Sequence, residues 1–503
     1  MATTEMGSRA AVVAVLALLA AVGTGCGSGS SGAAPPPPSA PGPTTNGGTA
    51  HTTLHAALHT TAYDAATSSP RTDSVYPGVG NAGVDALHYS LDLTWDDGPD
   101  TLTGTESLLF RAATTSSHID LDLARQLTVD HVWLDGRAVS FQHPGKELVV
   151  SQAVDKNSRH LLQLTYDGTP EPVTAPTDRS DFTTTGWTIA DDGTVWTMQE
   201  PYGAYSWYAV NDQPSDKAFY DVTIHAPSGE VGVSNGTLRS RTAVAGHTVT
   251  SWHLPEPAAS YLMTIAIGRF TETRLTGPHG LPISLWTPTG HPSMVRRLRY
   301  APKAVAYLER LVGRYPFPSL GLLVVPSDSA METQSMVTLG DDRYTLSRDT
   351  IVHEIAHQWY GDTVTPDDWS DLWMNEGMAT YLAEATWTGD HGPHSRAEIL
   401  RQWTRFATQL RAKYGPPAHY APGSFAEGDA YYIPALMWDT LRQRLGDREF
   451  WSLARRWLDT HRFTSQDRTS LAAWWSKASG QDLTPVFHAW LLGAHEPVWK
   501  DAS

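Results

Sequence analysis

His353 and His357 stand four residues apart in the stretch IVHEIAHQWYGDTV (351–364), and Glu354 directly follows the first of them. On a helix, residues i and i+4 share a face, so both imidazoles would project to the same side. Two imidazoles at that spacing suit two corners of a tetrahedral zinc ion. A carboxylate beside the first histidine is placed to take a proton from a metal-bound water. The chemistry on offer is metal-assisted hydrolysis. The competing reading is a polar helix face with two unrelated histidines, in a chain that holds 21. A catalytic zinc takes a third protein ligand and leaves one position for water. Glu376, in DDWSDLWMNEGMATYLAEATW (367–387), is the candidate for it, on what reads as a second helix.

The elements that must hold these residues are legible to differing degrees. Ser347 is a good helix N-cap and Gly361 a good stop, which predicts a helix of about 13 residues between them. From PSMVRRLRYAPKAVAYLERLVGRYPF (292–317) onward helical periodicity dominates. Upstream the texture differs. LHYSLDLTW (87–95), SLLFRA (107–112), HIDLDL (118–123), ELVVS (147–151), LLQLTY (161–166), AFYDVTIHA (218–226) and TVTSWHL (248–254) read as strands, punctuated by Gly, Pro, Asp and Asn. No long helical pattern interrupts them, so the sheets should be mainly antiparallel. YLMTIAIGRF (261–270) reads as the last strand before a change of domain. The expected fold class is α+β and multidomain: a β-rich domain over 73–270, then a mainly helical domain over 271–500 that carries the chemistry.

At 503 residues the chain is long enough for two or three domains. Apolar residues make up 41% and charged residues 18%, as in folded globular proteins. The net charge is −17 and no strong basic run occurs, which argues against a nucleic-acid partner. The 19 tryptophans are assigned to core packing. A single cysteine, Cys26, excludes an internal disulfide and a cysteine-based zinc cluster.

Residues 10–23, AAVVAVLALLAAVG, follow Arg9 and suit the apolar region of a secretory signal better than a membrane span. The following GTGC (23–26) resembles the lipobox of bacterial lipoproteins. That resemblance implies a signal over 1–25, a lipid-bearing Cys26 at the membrane surface and an extracytoplasmic location; the alternative is plain secretion. Residues 26–72, rich in Gly, Ser and Pro at their start, read as a flexible tether. His51, His55 and His59 in HTTLHAALH would line one face of a helix and could hold a metal, or could belong to a His-rich linker.

HEIAHQWYGDTVTPDDWSDLWMNEGMATYLAE closely resembles the aminopeptidase N family of zinc peptidases, gluzincins that include the leukotriene hydrolases. The family signature is H-E-x-x-H, eighteen residues, then E, and the intervening W-x-G-x-x-V-T and W-x-D-L-W also match. The resemblance implies one Zn2+ per chain, held by His353, His357 and Glu376, with Glu354 as general base in a thermolysin-like domain. SAMET (329–333) resembles the family's G-x-M-E-N, with Ser329 and Thr333 at its first and last positions. There the resemblance implies that Glu332, on an edge strand, holds the substrate's free α-amino group. TMQEPYGAYSWYAVNDQPSDKAFYD (197–221) resembles a further segment, ending in D-x-P-x-x-K-A, and places Glu200 at the second amine-binding position. The family's nearby Arg is Tyr205 here. YYIPALMWDTLRQRLG (431–446) resembles the family helix Y-x-x-G-A-x-x-L, with Pro434 in place of Gly. It implies Tyr431 as the catalytic tyrosine that donates to the oxyanion.

The resemblance covers about residues 74–500, and the chain stops where the family's catalytic domain ends, which implies a more open site. The expected function is release of N-terminal residues from peptides, a reading that rests on Glu332 and Glu200 rather than on the zinc motif. The alternatives are a zinc endopeptidase or epoxide hydrolase with an open groove, and a non-catalytic cell-surface binding protein. An intact Glu354 argues against the last. The preferred first residue of the substrate is not legible.

Overall fold

Strand Val84–Asp96 runs through the middle of the largest sheet, and its side chains alternate: Leu91, Leu93 and Trp95 are buried while Ser90, Asp92 and Asp96 face solvent. The computed structural model describes residues 58–500. This sheet has eight strands, flanked on one side of Val84–Asp96 by Thr101–Ala112, Arg159–Gly168, Leu127–Leu134 and Arg137–Ala138. On the other side lie Lys217–Pro227, His247–Ala259 and Thr237–Val244. The pairing is antiparallel except between Val84–Asp96 and Lys217–Pro227, which run parallel. All seven segments expected to be extended contain a strand.

A second, five-stranded sheet follows the order Val231–Ser234, Ile265–Gly268, Val195–Met198, Thr184–Ile189, Val173–Thr174. Its three strands Val231–Ser234, Ile265–Gly268 and Val195–Met198 are buried along their whole length. Covering on both faces explains why their sequences read as apolar runs rather than alternating ones. The loops at the ends of this sheet deliver Arg179 and Glu200 to the site described below.

The expected last strand, 261–270, divides. Ser260–Leu262 is a helical turn, Ile265–Gly268 belongs to the second sheet, and Phe270 opens a third. That third sheet adds strands that the sequence reading did not name to the domain expected to be mainly helical. It joins Phe270–Thr276, Pro282–Pro288, Leu320–Val324, Met336–Leu339 and, at its edge, Ala330–Met331. LGLLV is apolar throughout and buried throughout, so neither a period of 2 nor one of 3.6 marks it as a strand. Helices then take over. Three matter here: α1 (Arg348–His357), α2 (Trp373–Thr380) and α3 (Gly428–Leu445). Trp187, Trp207, Trp373, Trp438, Trp457 and Trp475 are all fully buried, in line with the core reading of the tryptophans.

Residues 58–72, expected as the end of a tether, lie against the folded body. Tyr63 stacks on His88 with ring centroids 4.3 Å apart, and Arg71 pairs with Asp367 at 3.1 Å. Trp369 N–H donates to Asp73 at 2.7 Å and Ser74 donates to Asp368, fastening this segment beside the turn that leads into α2. Cys26, the expected signal and most of the tether lie outside the described residues, as do His51 and His55. No helix among the described residues is long and apolar enough to cross a membrane.

Candidate active site

Ser347 caps α1 by accepting from Thr350 N–H at 3.2 Å, as expected. The helix is shorter than expected and ends at His357. Its last bonds tighten, Gln358 N–H to Ile355 O and Trp359 N–H to Ala356 O, and His357 O accepts from Asp362 N–H instead. Gly361 makes that turn possible. It sits at φ +130°, and a Cβ there would come within 3.3 Å of the His357 ring and 3.4 Å of Asn375. The chain then returns through Val364–Pro366 into α2, which carries Glu376 in its first turn.

The side chains of α1 and α2 converge on one point. His353 Nε2 lies 3.0 Å from His357 Nε2, and the two lie 3.2 and 3.4 Å from Glu376 Oε2. A tetrahedral zinc with bonds of 2.0–2.1 Å would hold its ligand atoms about 3.3 Å apart, so this triad fits the ion. His357 Nδ1 donates to Tyr360 O at 3.1 Å, which directs Nε2 inward as the coordinating nitrogen. Electrostatics agree. Burial lowers the His357 pKa, but Glu332 and Glu376 outweigh it and raise it well above the usual value. Burial acts against Glu376 too, yet His357 and hydrogen bonds from both imidazoles hold it well below the carboxylate range. The centre of the cluster demands positive charge.

Glu354 is buried, and one of its carboxylate oxygens groups within 4.8 Å of ligand atoms of His357 and Glu332. Burial first, then Glu332 and Glu376, lift its pKa well above the carboxylate range against the pull of His357. Glu200 and Glu332 form a second acidic pair, each within 4.8 Å of the other and of Glu376. Both are buried, and each has one oxygen with no hydrogen-bond partner among the described residues. Burial and then the facing Glu332 raise Glu200 well above its ordinary value; burial raises Glu332.

Long-range contacts fix this pair. Glu332 follows the edge strand Ala330–Met331. Its carbonyl accepts from Gln358 Nε2 at 3.0 Å, while Gln358 Oε1 accepts from Ser335 N–H at 2.8 Å. The residue just after α1 thus grips the turn after Glu332. Thr333, where the resembling motif has Asn, is fully buried and shares a hydrogen bond with Thr338 at 2.8 Å. Glu200 leaves strand Val195–Met198, and buried Asp212 holds the loop behind it by accepting from Gly203 N–H at 2.9 Å and Ser260 Oγ at 2.7 Å.

Tyr431 and Tyr432 point to different surroundings. The Tyr431 ring lies 6.2 Å from the His353 ring, stacked at 24°. Tyr432 packs against Trp403 and Phe406. Pro434 accounts for the approach of this helix: a Cβ on Gly377 of α2 would fall 2.6 Å from the Pro434 ring, so α2 and α3 meet backbone to ring. Burial raises the Tyr431 pKa well above its usual value, so the hydroxyl keeps its proton.

Two features escaped the sequence reading. Arg179, in the irregular TDRSD (177–181), donates from Nη1 to Tyr431 Oη at 3.1 Å, and no motif marks it. Asp362 is fully buried with neither oxygen hydrogen-bonded, and Lys217 Nζ donates to its carbonyl at 2.8 Å. Burial drives Lys217 down to about 7.

Comparisons with known proteins agree with this architecture. The model of the peptidase M1 N-terminal domain matches residues 85–262, and that of the peptidase family M1 domain matches residues 299–490. Aminopeptidase N of Streptomyces lividans is 25% identical over 451 residues, covering 81% of this chain and 50% of that protein. Glutamyl aminopeptidase of Homo sapiens is 25% identical over 332 residues, covering 59% of this chain and 34% of that protein. The chain therefore spans half or less of the length of these relatives. A mutant two-domain M1 zinc metallopeptidase bound to L-arginine superposes with a TM-score of 0.77 at 25% identity, covering 86% of this chain and 99% of that one. The M1 zinc metallopeptidase of Deinococcus radiodurans, at 24% identity and a TM-score of 0.75, shares the fold. With one model on the β-rich half and the other on the half that holds the convergent His353, His357 and Glu376, the chain belongs to peptidase family M1.

Proposed function

We propose that this chain is a zinc aminopeptidase that releases the first residue of peptides with a free N-terminus. His353, His357 and Glu376 would hold one Zn2+. The ion, when bound, supplies a water activated towards neutral pH and polarises the peptide carbonyl. Glu354 takes the proton from the attacking water and delivers it to the leaving amine, a double task suited to a carboxylate with a raised pKa. The Tyr431 hydroxyl donates to the oxygen on which negative charge develops.

The observation that carries the aminopeptidase reading is the pair Glu200 and Glu332. Two buried carboxylates, each with an unpartnered oxygen, face one another beside Glu376. Such a pair is costly unless a cation enters it, and the substrate ammonium is that cation. An endopeptidase gains nothing from it. Binding of L-arginine, a free amino acid, by the structural relative is consistent with this reading. The test is to load the full chain with zinc and to give it one tripeptide with a free N-terminus and the same peptide acetylated. Release of the first residue from the free peptide alone supports the proposal. Internal cuts, or equal cleavage of both, would replace it with an open-groove endopeptidase.

The N-terminal sequence extends the proposal to location. The apolar run 10–23 followed by GTGC supports export and a lipid on Cys26, with action outside the cytoplasm. Replacing Cys26 with Ser should then move the protein from the membrane fraction to the soluble one.

A further inference from the structure

Arg179 reaches the site from the loop between strands Val173–Thr174 and Thr184–Ile189, in the β-rich half. Its guanidinium is fully directed. Nε and Nη2 donate to the two oxygens of Asp181 at 3.2 and 2.7 Å, and Nη1 donates to Ala426 O at 3.0 Å and to Tyr431 Oη at 3.1 Å. The bidentate Asp181 pair fixes the plane of the fork. Ala426 lies just before α3, and Tyr431 lies in its first turns. One arginine thus ties a loop of the β-rich half to both the entry of α3 and its tyrosine.

The consequence for Tyr431 follows from donor and acceptor counting. A phenol oxygen accepts and its hydrogen donates; a guanidinium only donates. With Arg179 on the oxygen, the tyrosine hydrogen must point elsewhere, and no other described residue forms a hydrogen bond with that hydroxyl. The ring lies beside His353, which leaves that hydrogen free for a group bound beside the zinc ligands. The geometry points to Arg179 as a positioning residue: it holds the Tyr431 oxygen, turns the O–H towards the reacting carbonyl and, as a cation, makes it a stronger donor. This rests on the reading of Tyr431 as the oxyanion donor proposed above.

The test is a double-mutant cycle in the zinc-loaded full chain, with a second readout that does not need activity. Arg179→Gln should lower kcat about tenfold, leave KM within about twofold, and cost less than about twofold when Tyr431 is already Phe. Arg179→Lys, which restores a cationic donor, should recover part of the loss. Asp181→Asn, which loosens the fork but keeps the arginine, should lower kcat less than Arg179→Gln and serves if the latter fails to fold. In metal-free protein carrying 13Cζ-tyrosine, the signal that vanishes in Tyr431→Phe should shift in Arg179→Gln and stay close to wild type in Arg179→Lys. Equal losses from Arg179→Gln in both backgrounds would overturn the proposal, because the arginine would then act independently of the tyrosine. So would a rise in KM confined to peptides with a free C-terminal carboxylate as against their amides, which would make Arg179 a substrate anchor. An unmoved carbon signal overturns it whatever the kinetics. If the wild type cleaves nothing, the proposed activity fails and the carbon signal alone decides the contact.

Discussion

His353 and Glu376 are 23 positions apart and sit on two helices joined by a short return, whereas Arg179 and Tyr431 are 252 positions apart and meet only because two halves of the fold pack together. The metal-facing side of the cavity is built from local geometry: one i, i+4 pair, one cap at Ser347 and one turn at Gly361. The side proposed to face substrate is assembled from a sheet edge (Glu332), a sheet end (Glu200), a loop (Arg179) and a helix (Tyr431). Changes on the first side should abolish chemistry outright. Changes on the second should grade it or redirect it, because those groups shape what binds and how charge is met.

The largest expected effect lies on the helical side. His357→Ala removes an inward nitrogen and leaves Glu332, Glu354 and Glu376 unbalanced, so bound zinc should fall below one per chain by elemental analysis and activity should vanish. Glu354→Gln comes next and keeps the metal. Steady-state kinetics should show kcat lower by about 10³–10⁴-fold with zinc content unchanged. A loss of zinc in that variant would blur the distinction, since Glu354 would then be a ligand. On the other side, Tyr431→Phe should lower kcat about 10²-fold while substrate still binds.

The smallest effect concerns stability. Asp429, in the first turn of α3, is buried, and burial raises its pKa from 3.8 to about 8 against the backbone N–H groups at its own position and at Ala430. The raised pKa means that the folded state binds the proton more tightly. Its stabilising contribution is full below about pH 4 and is lost as the pH rises through about 8. Asp429→Asn should remove that fall and stabilise the protein by about 2 kcal/mol at neutral pH, as measured by urea unfolding. An unchanged pH slope would assign the ionisation elsewhere.

The same contrast explains what could be read from the sequence. His353 and His357 obey a helical period behind a cap at Ser347, so their shared face was legible from spacing, and Glu376 followed from the need for a third ligand on a second helix. Five strands of the eight-stranded sheet were legible for a similar reason, since one face is buried and the other wet, whereas Leu127–Leu134, Arg137–Ala138 and Thr237–Val244 went unread. Leu320–Val324 was not legible, because a strand buried on both faces carries no period. Glu200, Glu332 and Tyr431 were reached only through resemblance to a family. Nothing local tells buried Glu200 that its partner, Glu332, lies just past a strand far along the chain. Arg179 had neither period nor motif. Its role comes from a loop whose position is set by the second sheet, and only a tertiary structure brings it to α3. Pro434, which stands where the family helix has Gly, is the surface that Gly377 packs against.

The aminopeptidase proposal stands or falls on whether Glu200 and Glu332 read a free amine. The most direct measurement compares wild type with Glu332→Gln on one peptide, N-terminally free and N-terminally acetylated, following kcat/KM for each. The account predicts strong preference of the wild type for the free peptide. It predicts that Glu332→Gln loses about tenfold or more on the free peptide, with little change on the acetylated one, so that the preference collapses. If Glu332→Gln slows both peptides equally, or if the wild type shows no preference, the carboxylate pair does not hold the substrate amine and the aminopeptidase reading is wrong.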